Sequence, residues 1–392
     1  MHRALIVPAV VLLALLALTL PRAASRSSAA IEQLASAAPA RAATLRPGLD
    51  DPRALDPRAT DGLGRGRLPE GLVTGRRTIA DAMNAHDFVR AAGACEGVLA
   101  AFPTDRWTRL VRSDALVELG RVDEAEALVQ GVLERKPTGA AYLRAAWLLH
   151  LRGDDEGAVQ VYGLALDALD ERDQVARAWT HAELGRLAWC AGRVDEALRQ
   201  AELALTLSPA CAEALAGKAR ALAARGDLSA ATSLLERAPA SPETLSELAA
   251  LHVARGWQAD ADEAMDKARR LLEQDPLWAR AVAVALADHA LEPARAVALA
   301  EAELARRPDL FSHDAMAWAL CRAGRGAEAL AHAEQALALG TREPALLFHA
   351  GMVARAAGDM VRARAWLGEA LALNPTFHPR HALEARAALE AK

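Results

Sequence analysis

The stretch Ala178–Pro209, AWTHAELGRLAWCAGRVDEALRQAELALTLSP, decides how the chain is read. Leu184-Gly185 falls in one helical run, Gly192 ends that run, Ala197 sits in a second run, and Pro209 closes the unit. The last copy keeps this spacing at Gly351, Gly358, Ala363, Ala370 and Pro375. With the inter-helix Gly as a ruler, units of about 34 residues start near 72, 106, 139, 178, 212, 242, 277, 310 and 344. The ruler is Gly120, Gly153, Gly192, Gly226, Gly256, Gly324 and Gly358, where a left-handed backbone at a helix end favours Gly. Five residues after the ruler position stands Ala91, Ala125, Ala158, Ala197, Ala231, Ala261, Ala296, Ala329 or Ala363, a methyl that lets the second helix lie close on the first. Pro103, Pro137, Pro209, Pro308 and Pro375 terminate second helices, because Pro cannot continue the hydrogen-bond ladder. The first unit carries His86 in place of Gly and a weak first helix, and reads as a partial cap. The unit near 277 turns instead around Glu292-Pro293, and about five extra residues near Asp170–Asp173 separate two units.

About a quarter of the 392 residues are Ala, with two Tyr and five Phe. Ala has the best helix propensity, so the class is all-α. Residues 1–77 hold 11 Arg against 6 acidic residues, and the remainder holds 35 basic against 45 acidic, a net of −10. An acidic repeat array argues against nucleic acid, which needs a clustered basic face. Cys95, Cys190, Cys211 and Cys321 form no C-x-x-C pair and read as buried thiols.

His2 and Arg3 precede an uncharged apolar run from Ala4 to Leu20. Residues 1–25 therefore read as a signal peptide or an N-terminal membrane anchor, with cleavage and retention both open. This places the chain outside the cytoplasm, periplasmic or secreted, with membrane association through residues 4–20 if the run is kept. Residues 26–71, rich in Ala, Pro, Arg and Gly, read as a disordered, flexible linker.

The repeat resembles the tetratricopeptide repeat. Asp314–Leu320 (DAMAWAL) and Leu347–Met352 (LFHAGM) are similar to many bacterial, exported-type tetratricopeptide-repeat proteins of unassigned function. The resemblance covers roughly three quarters of the chain. It implies a right-handed superhelical solenoid of eight to nine helix-turn-helix units over residues 72–377. Residues 378–392 then form a capping helix over the exposed end.

In such a solenoid first helices line the concave face, and positions 2, 5, 9 and 12 of each unit share one stripe. Trp107, Trp179 and Trp278 fall at position 2, Trp147 and Trp318 at position 9, and Trp189 at position 12; Phe348 joins them. Chance alone would put about one Trp on that stripe, so the placement is a pattern. Two readings stay open: an aromatic groove that clasps a peptide, or aromatic filler between Ala-rich helices. Polar stripe residues that would fix a peptide's register include Asp114, His150, Arg186, Arg220, Asp288, Asp314 and Arg355.

The motifs of zinc proteases, nucleophile elbows, phosphate loops and metal-spaced Cys/His sets are missing from the sequence. His378 and His381 share a helical spacing, but Pro379 lies between them and no third ligand is evident, so the pair reads as a surface feature. The expectation is a non-catalytic scaffold without metal or cofactor, binding a protein or peptide in the concave groove. The alternative is an envelope-assembly or secretion chaperone, and an enzyme with an unrecognised site ranks last.

Overall fold

The computed structural model describes residues 68–391, which form 19 α-helices and no strand. The apolar run of residues 4–20 and the linker up to residue 67 lie outside the described residues. Tertiary contacts divide the described chain between Asp173 and Gln174 into two units.

The first unit holds three antiparallel hairpins: α1 (Glu70–Asn84) with α2 (Phe88–Ala101), α3 (Arg106–Glu118) with α4 (Val122–Leu133), and α5 (Gly139–Leu151) with α6 (Asp155–Ala168). The second begins with α7 (Gln174–Cys190) and α8 (Val194–Leu207), then α9 (Ala212–Ala224) and α10 (Leu228–Leu235). Next come α11 (Pro242–Ala254) with α12 (Gln258–Gln274), and α13 (Ala279–Asp288) with α14 (Pro293–Arg306). It ends with α15 (Leu310–Arg322), α16 (Gly326–Leu337), α17 (Pro344–Ala356), α18 (Met360–Leu373) and the final helix α19 (His381–Glu390). Each unit is a solenoid-like stack of tetratricopeptide-like helical hairpins.

The turn inside each hairpin follows from one backbone device. All seven ruler glycines take positive φ, from 68° at Gly192 to 86° at Gly226. Around Gly120 the bonds are Arg121 N–H to Leu116 O at 2.8 Å and Gly120 N–H to Val117 O at 3.0 Å, the double closure that satisfies the last helical carbonyls. His86 and Ala290 hold the same left-handed position without being Gly, at φ 51° and 54°. The matching closures, Asp87 N–H to Ala82 O at 2.9 Å and Leu291 N–H to Leu286 O at 2.8 Å, are intact. The first hairpin is therefore complete rather than a partial cap: α1 runs 15 residues and buries Leu72, Ile79, Ala82 and Met83. The unit expected near 277 opens with a 3-10 turn at Pro276–Trp278, capped by Asp275, before α13 begins.

All nine repeat alanines are buried, from Ala91 to Ala363. Most first helices are enclosed on most sides, α1 and α9 excepted: α5 buries 11 of 13 residues, whereas α8 buries only Ala197, Ala201 and Ala204. The solvent face of each unit is thus carried mainly by second helices. Successive repeats are stapled by ion pairs about one repeat apart, including Arg76–Asp105, Arg144–Asp114, Arg225–Asp195, Arg280–Asp309 and Arg362–Glu334.

Within the second unit the first and last hairpins meet. Asn374 Nδ2–H donates to Trp189 O at 2.7 Å, and Arg186 Nη1 lies 2.6 Å from Glu343 Oε1. A Cβ on Gly192 would stand 2.7 Å from Leu373 O, so only Gly permits this seam. The final helix starts at His381, three residues later than the expected capping segment, and does more than cover an end. Ala382, Ala385 and Ala388 join Phe348, Leu367 and Phe377 in the core, while Arg380 reaches back to the Asp288 carbonyl at 2.7 Å.

Candidate functional site

Most of the stripe aromatics are buried within their units. In the first unit, Trp107 is 5% exposed with the Arg76 guanidinium 5.0 Å from its ring centroid, and Trp147 is 2% exposed with the His150 ring at 5.2 Å. His150 is buried and its Nδ1 lies 2.6 Å from Asp155 Oδ1. In the second unit Trp179, Trp189, Trp318 and Phe348 are buried, and Trp278 is partly buried in the 3-10 turn. Arg186 pairs with Glu183 and Glu343, and Arg220 with Glu247. The stripe indoles other than Trp278 are buried, and Asp114, His150, Arg186, Arg220, Asp288 and Asp314 pair within the fold, whereas Arg355 is exposed. Trp257, off the stripe, is the exposed indole at 43%, with Arg255 stacked 3.5 Å over its ring and His252 at 5.8 Å.

The second unit assembles a buried polar cluster from three first helices and the chain that returns over them. Asp288 ends α13, Asp314 and Trp318 lie one turn apart on α15, His349 is on α17, and His378, Arg380 and His381 precede or open α19. Trp318 Nε1–H donates to Asp288 Oδ1 at 2.8 Å. His349 Nδ1 sits 3.0 Å from both oxygens of Asp314, so it donates its proton there and turns Nε2 toward Asp288. The indole of Trp318 stacks on His349 at 4.5 Å, and Phe348 stacks on His381 at 4.5 Å. His378 Nδ1 accepts the backbone N–H of Arg380 and of His381, at 3.2 and 3.1 Å, and so caps α19. His289 beside them donates Nε2–H to Ser246 O at 3.1 Å and faces Arg380 with Nδ1.

Burial and charge pull these groups apart. Burial opposes a charge on His349, but Asp314 and Asp288 outweigh it and raise its pKa to about 9. Burial pushes His378 down to about 4 and His381 well below the usual imidazole value, with each other's charge adding to the effect on His381. Burial likewise raises Asp314, whereas the imidazoles around Asp288 overcome its burial and hold its carboxyl low. The cluster is thus a set of neutral imidazoles and one carboxylate-clamped imidazole around an ionised Asp288.

The pair His378 and His381 is not the surface feature its spacing suggested. The two rings stack at 4.0 Å, and His381 is 3% exposed. His313 and Asp314 do face apart as adjacent helical residues must: His313 pairs with His332 at 3.1 Å while Asp314 holds His349. Asp288 and Trp318 were legible on the stripe; His349, at position 6 of its unit, was not. None of the four cysteines is in a disulfide, and burial raises the thiols of Cys95 and Cys211 to about 12 and of Cys321 to about 11, which disfavours the reactive thiolate. No described helix is long and apolar enough to cross a membrane.

Models of the tetratricopeptide repeat match residues 82–146, 183–243 and 315–376. Among solved structures, the chain is similar to a tetratricopeptide repeat protein from Parabacteroides merdae at 17% identity, covering 62% of this chain and 94% of that one, TM-score 0.34. It is also similar to human IFIT1, solved as a dimer with PPP-AAAA, at 15% identity, 79% and 74% coverage and TM-score 0.48. The APC/C hetero-tetramer Cut9–Hcn1 is similar at 17% identity, 83% and 78% coverage and TM-score 0.34. No curated protein matches the sequence significantly. The chain carries tetratricopeptide repeats, a module that generally serves as a non-catalytic scaffold for protein partners.

Proposed function

We propose that this tetratricopeptide-repeat chain is an extracytoplasmic, non-catalytic scaffold, with residues 4–20 as its export signal or membrane tether, that recruits a protein partner. The observation that carries the reading is the division of labour within most of the hairpins. First helices are spent on the core, as in α5, and second helices present long polar faces such as that of α8. A regular, solvent-facing helical surface with an acidic bias suits a protein partner better than a nucleic acid. Because the stripe indoles are enclosed, a peptide reaching Trp107, Trp147, Trp179, Trp189 or Trp318 must first part the hairpins. Contact through the second-helix face and the turn leading into it, where the exposed Trp257 carries the stacked Arg255, needs no such opening.

The test is capture from an envelope extract of the source organism by the full chain, a Trp257→Ala variant and a Trp147→Ala, Trp189→Ala, Trp318→Ala variant, each checked for folding by circular dichroism. Loss of a defined partner with Trp257→Ala alone supports recruitment through the second-helix face. Loss with the triple variant alone, while it stays folded, returns the contact to the inner groove. Capture of many clients, with affinity that grows with peptide length, identifies a chaperone instead.

A further inference from the structure

We propose that Asp288, His349 and His381 form a binding site for one divalent transition-metal ion of the Zn2+ type. Ligand atoms of the three residues lie within 4.8 Å of one another in the interior of the second unit. The proposal is independent of the partner reading above, since it concerns a buried site and no surface.

Three features of the geometry point to an ion rather than to a hydrogen-bonded core. Asp288 Oδ1 is 3.6 Å from His349 Nε2 and 3.7 Å from His381 Nε2, too far for hydrogen bonds. Four ligands held about 2.0–2.2 Å from a tetrahedral Zn2+ stand about 3.3–3.6 Å apart, so both Asp288 distances already match an ion to within a few tenths of an ångström. Second, His381 Nε2 is buried and has no hydrogen-bond partner, which costs free energy unless something else fills that role. Third, His349 donates Nδ1–H to Asp314, the carboxylate–imidazole arrangement that fixes the tautomer and aims the Nε2 lone pair at a metal.

The surroundings lock the same three groups. Phe348 and Trp318 stack on the two imidazoles, and Trp318 orients Asp288 through its N–H. Arg380, the nearest cation of the returning chain, bonds the backbone carbonyl of Asp288 and leaves its carboxylate to the cluster. Two imidazoles, with His349 giving up its Nε2 proton as the ion enters, and a carboxylate match borderline metals such as Zn2+ and leave a fourth position open for water or another ligand. His378 takes no part in ligation, because its Nδ1 is committed to the two backbone N–H groups of α19.

The experiment strips the full chain with EDTA and titrates it with Zn2+ by calorimetry and with Co2+ by visible absorption. One equivalent should bind, with the intense bands of four-coordinate cobalt. His381→Gln and Asp288→Asn should each weaken affinity at least tenfold, and Asp314→Asn about tenfold through its hold on His349. His332→Gln, at the separate His313–His332 pair, should bind as the wild type does. Failure of the wild type to bind at micromolar metal overturns the site, as does unchanged affinity in folded His381→Gln and Asp288→Asn. If those variants do not fold, the wild-type cobalt spectrum decides: four-coordinate bands support the site, and a six-coordinate spectrum or none overturns it.

Discussion

The two units use one hairpin pattern and fill its interior differently. In the first, guanidinium–carboxylate pairs join consecutive repeats: Arg76 with Asp105, Arg144 with Asp114, and Arg152 with Asp123 and Glu126. Arg76 is fully buried, its Nε 3.1 Å from Asp105, a residue that also caps α3 by accepting Thr108 N–H at 3.0 Å. The second unit keeps such a pair, Arg280 with Asp309, and adds an interior Asp288 beneath Trp318, over which the returning C-terminal chain brings imidazoles. A repeat therefore dictates where an interior polar group must find a partner but not what that partner is. Asp105 and Asp309 each find an arginine, Asp288 an indole and a histidine cluster.

That contrast can be broken at its most buried point. Trp318→Ala should destabilise the second unit by about 3–5 kcal/mol, since it empties a fully buried site and strips Asp288 of its donor. Hydrogen exchange read by mass spectrometry should show the loss in residues 174–391 and leave 68–173 protected; uniform loss would mean the units unfold as one. The mirror experiment is Arg76→Met, which leaves Asp105 buried without its counter-charge and should cost about 3 kcal/mol, read in residues 68–173. An unchanged melting temperature would show that Asp105 is served well enough by Thr108 alone.

Acid sharpens the comparison further. His289, His313, His332, His378 and His381 are all held neutral by burial, and all lie in the second unit. Their folded pKa values are below the unfolded one, so the unfolded chain takes up protons first as pH falls. Metal-free protein should lose of order 2 kcal/mol in the second unit between about pH 6.5 and 4. His349, raised to about 9, works in the opposite sense: its contribution is complete below pH 6.5 and is lost as pH climbs through 9. Denaturant midpoints at pH 7.0, 5.5 and 4.5 check the first limb; a first unit that fails earlier than the second would contradict it. The smallest effect concerns the turns. Ala290→Gly should stabilise by about 0.5–1 kcal/mol, since Ala at φ 54° pays for a left-handed backbone that Gly adopts freely. The chevron should show no such gain for Ala→Gly at Ala296, which is helical and buried.

Much of the architecture was readable in residue spacing. Helices begin at Arg106, Gly139, Ala212, Pro242, Leu310 and Pro344, where the ruler starts units, and every ruler Gly has the left-handed backbone that made it a ruler. The extra residues at Asp170–Asp173 fall where the two units divide. The weak first helix was misread because its core side chains, Ile79 and Met83 among them, are few and its largest interior group is a charged Arg76. The stripe carried the Trp positions but not their fate, because periodicity gives the side of a helix and not what lies against it.

By itself, then, the sequence determined the local elements: helix limits, left-handed turns and the buried alanine seam, all set by interactions within about one repeat, where backbone sterics and propensity act. The tertiary structure alone decided the closure of the second unit and the meeting of Asp288, His349 and His381. Those contacts join residues between 32 and 185 positions apart, through Asn374 to Trp189 and His381 to His349. Their formation depends on how small rotations between hairpins accumulate, a quantity that no single repeat encodes.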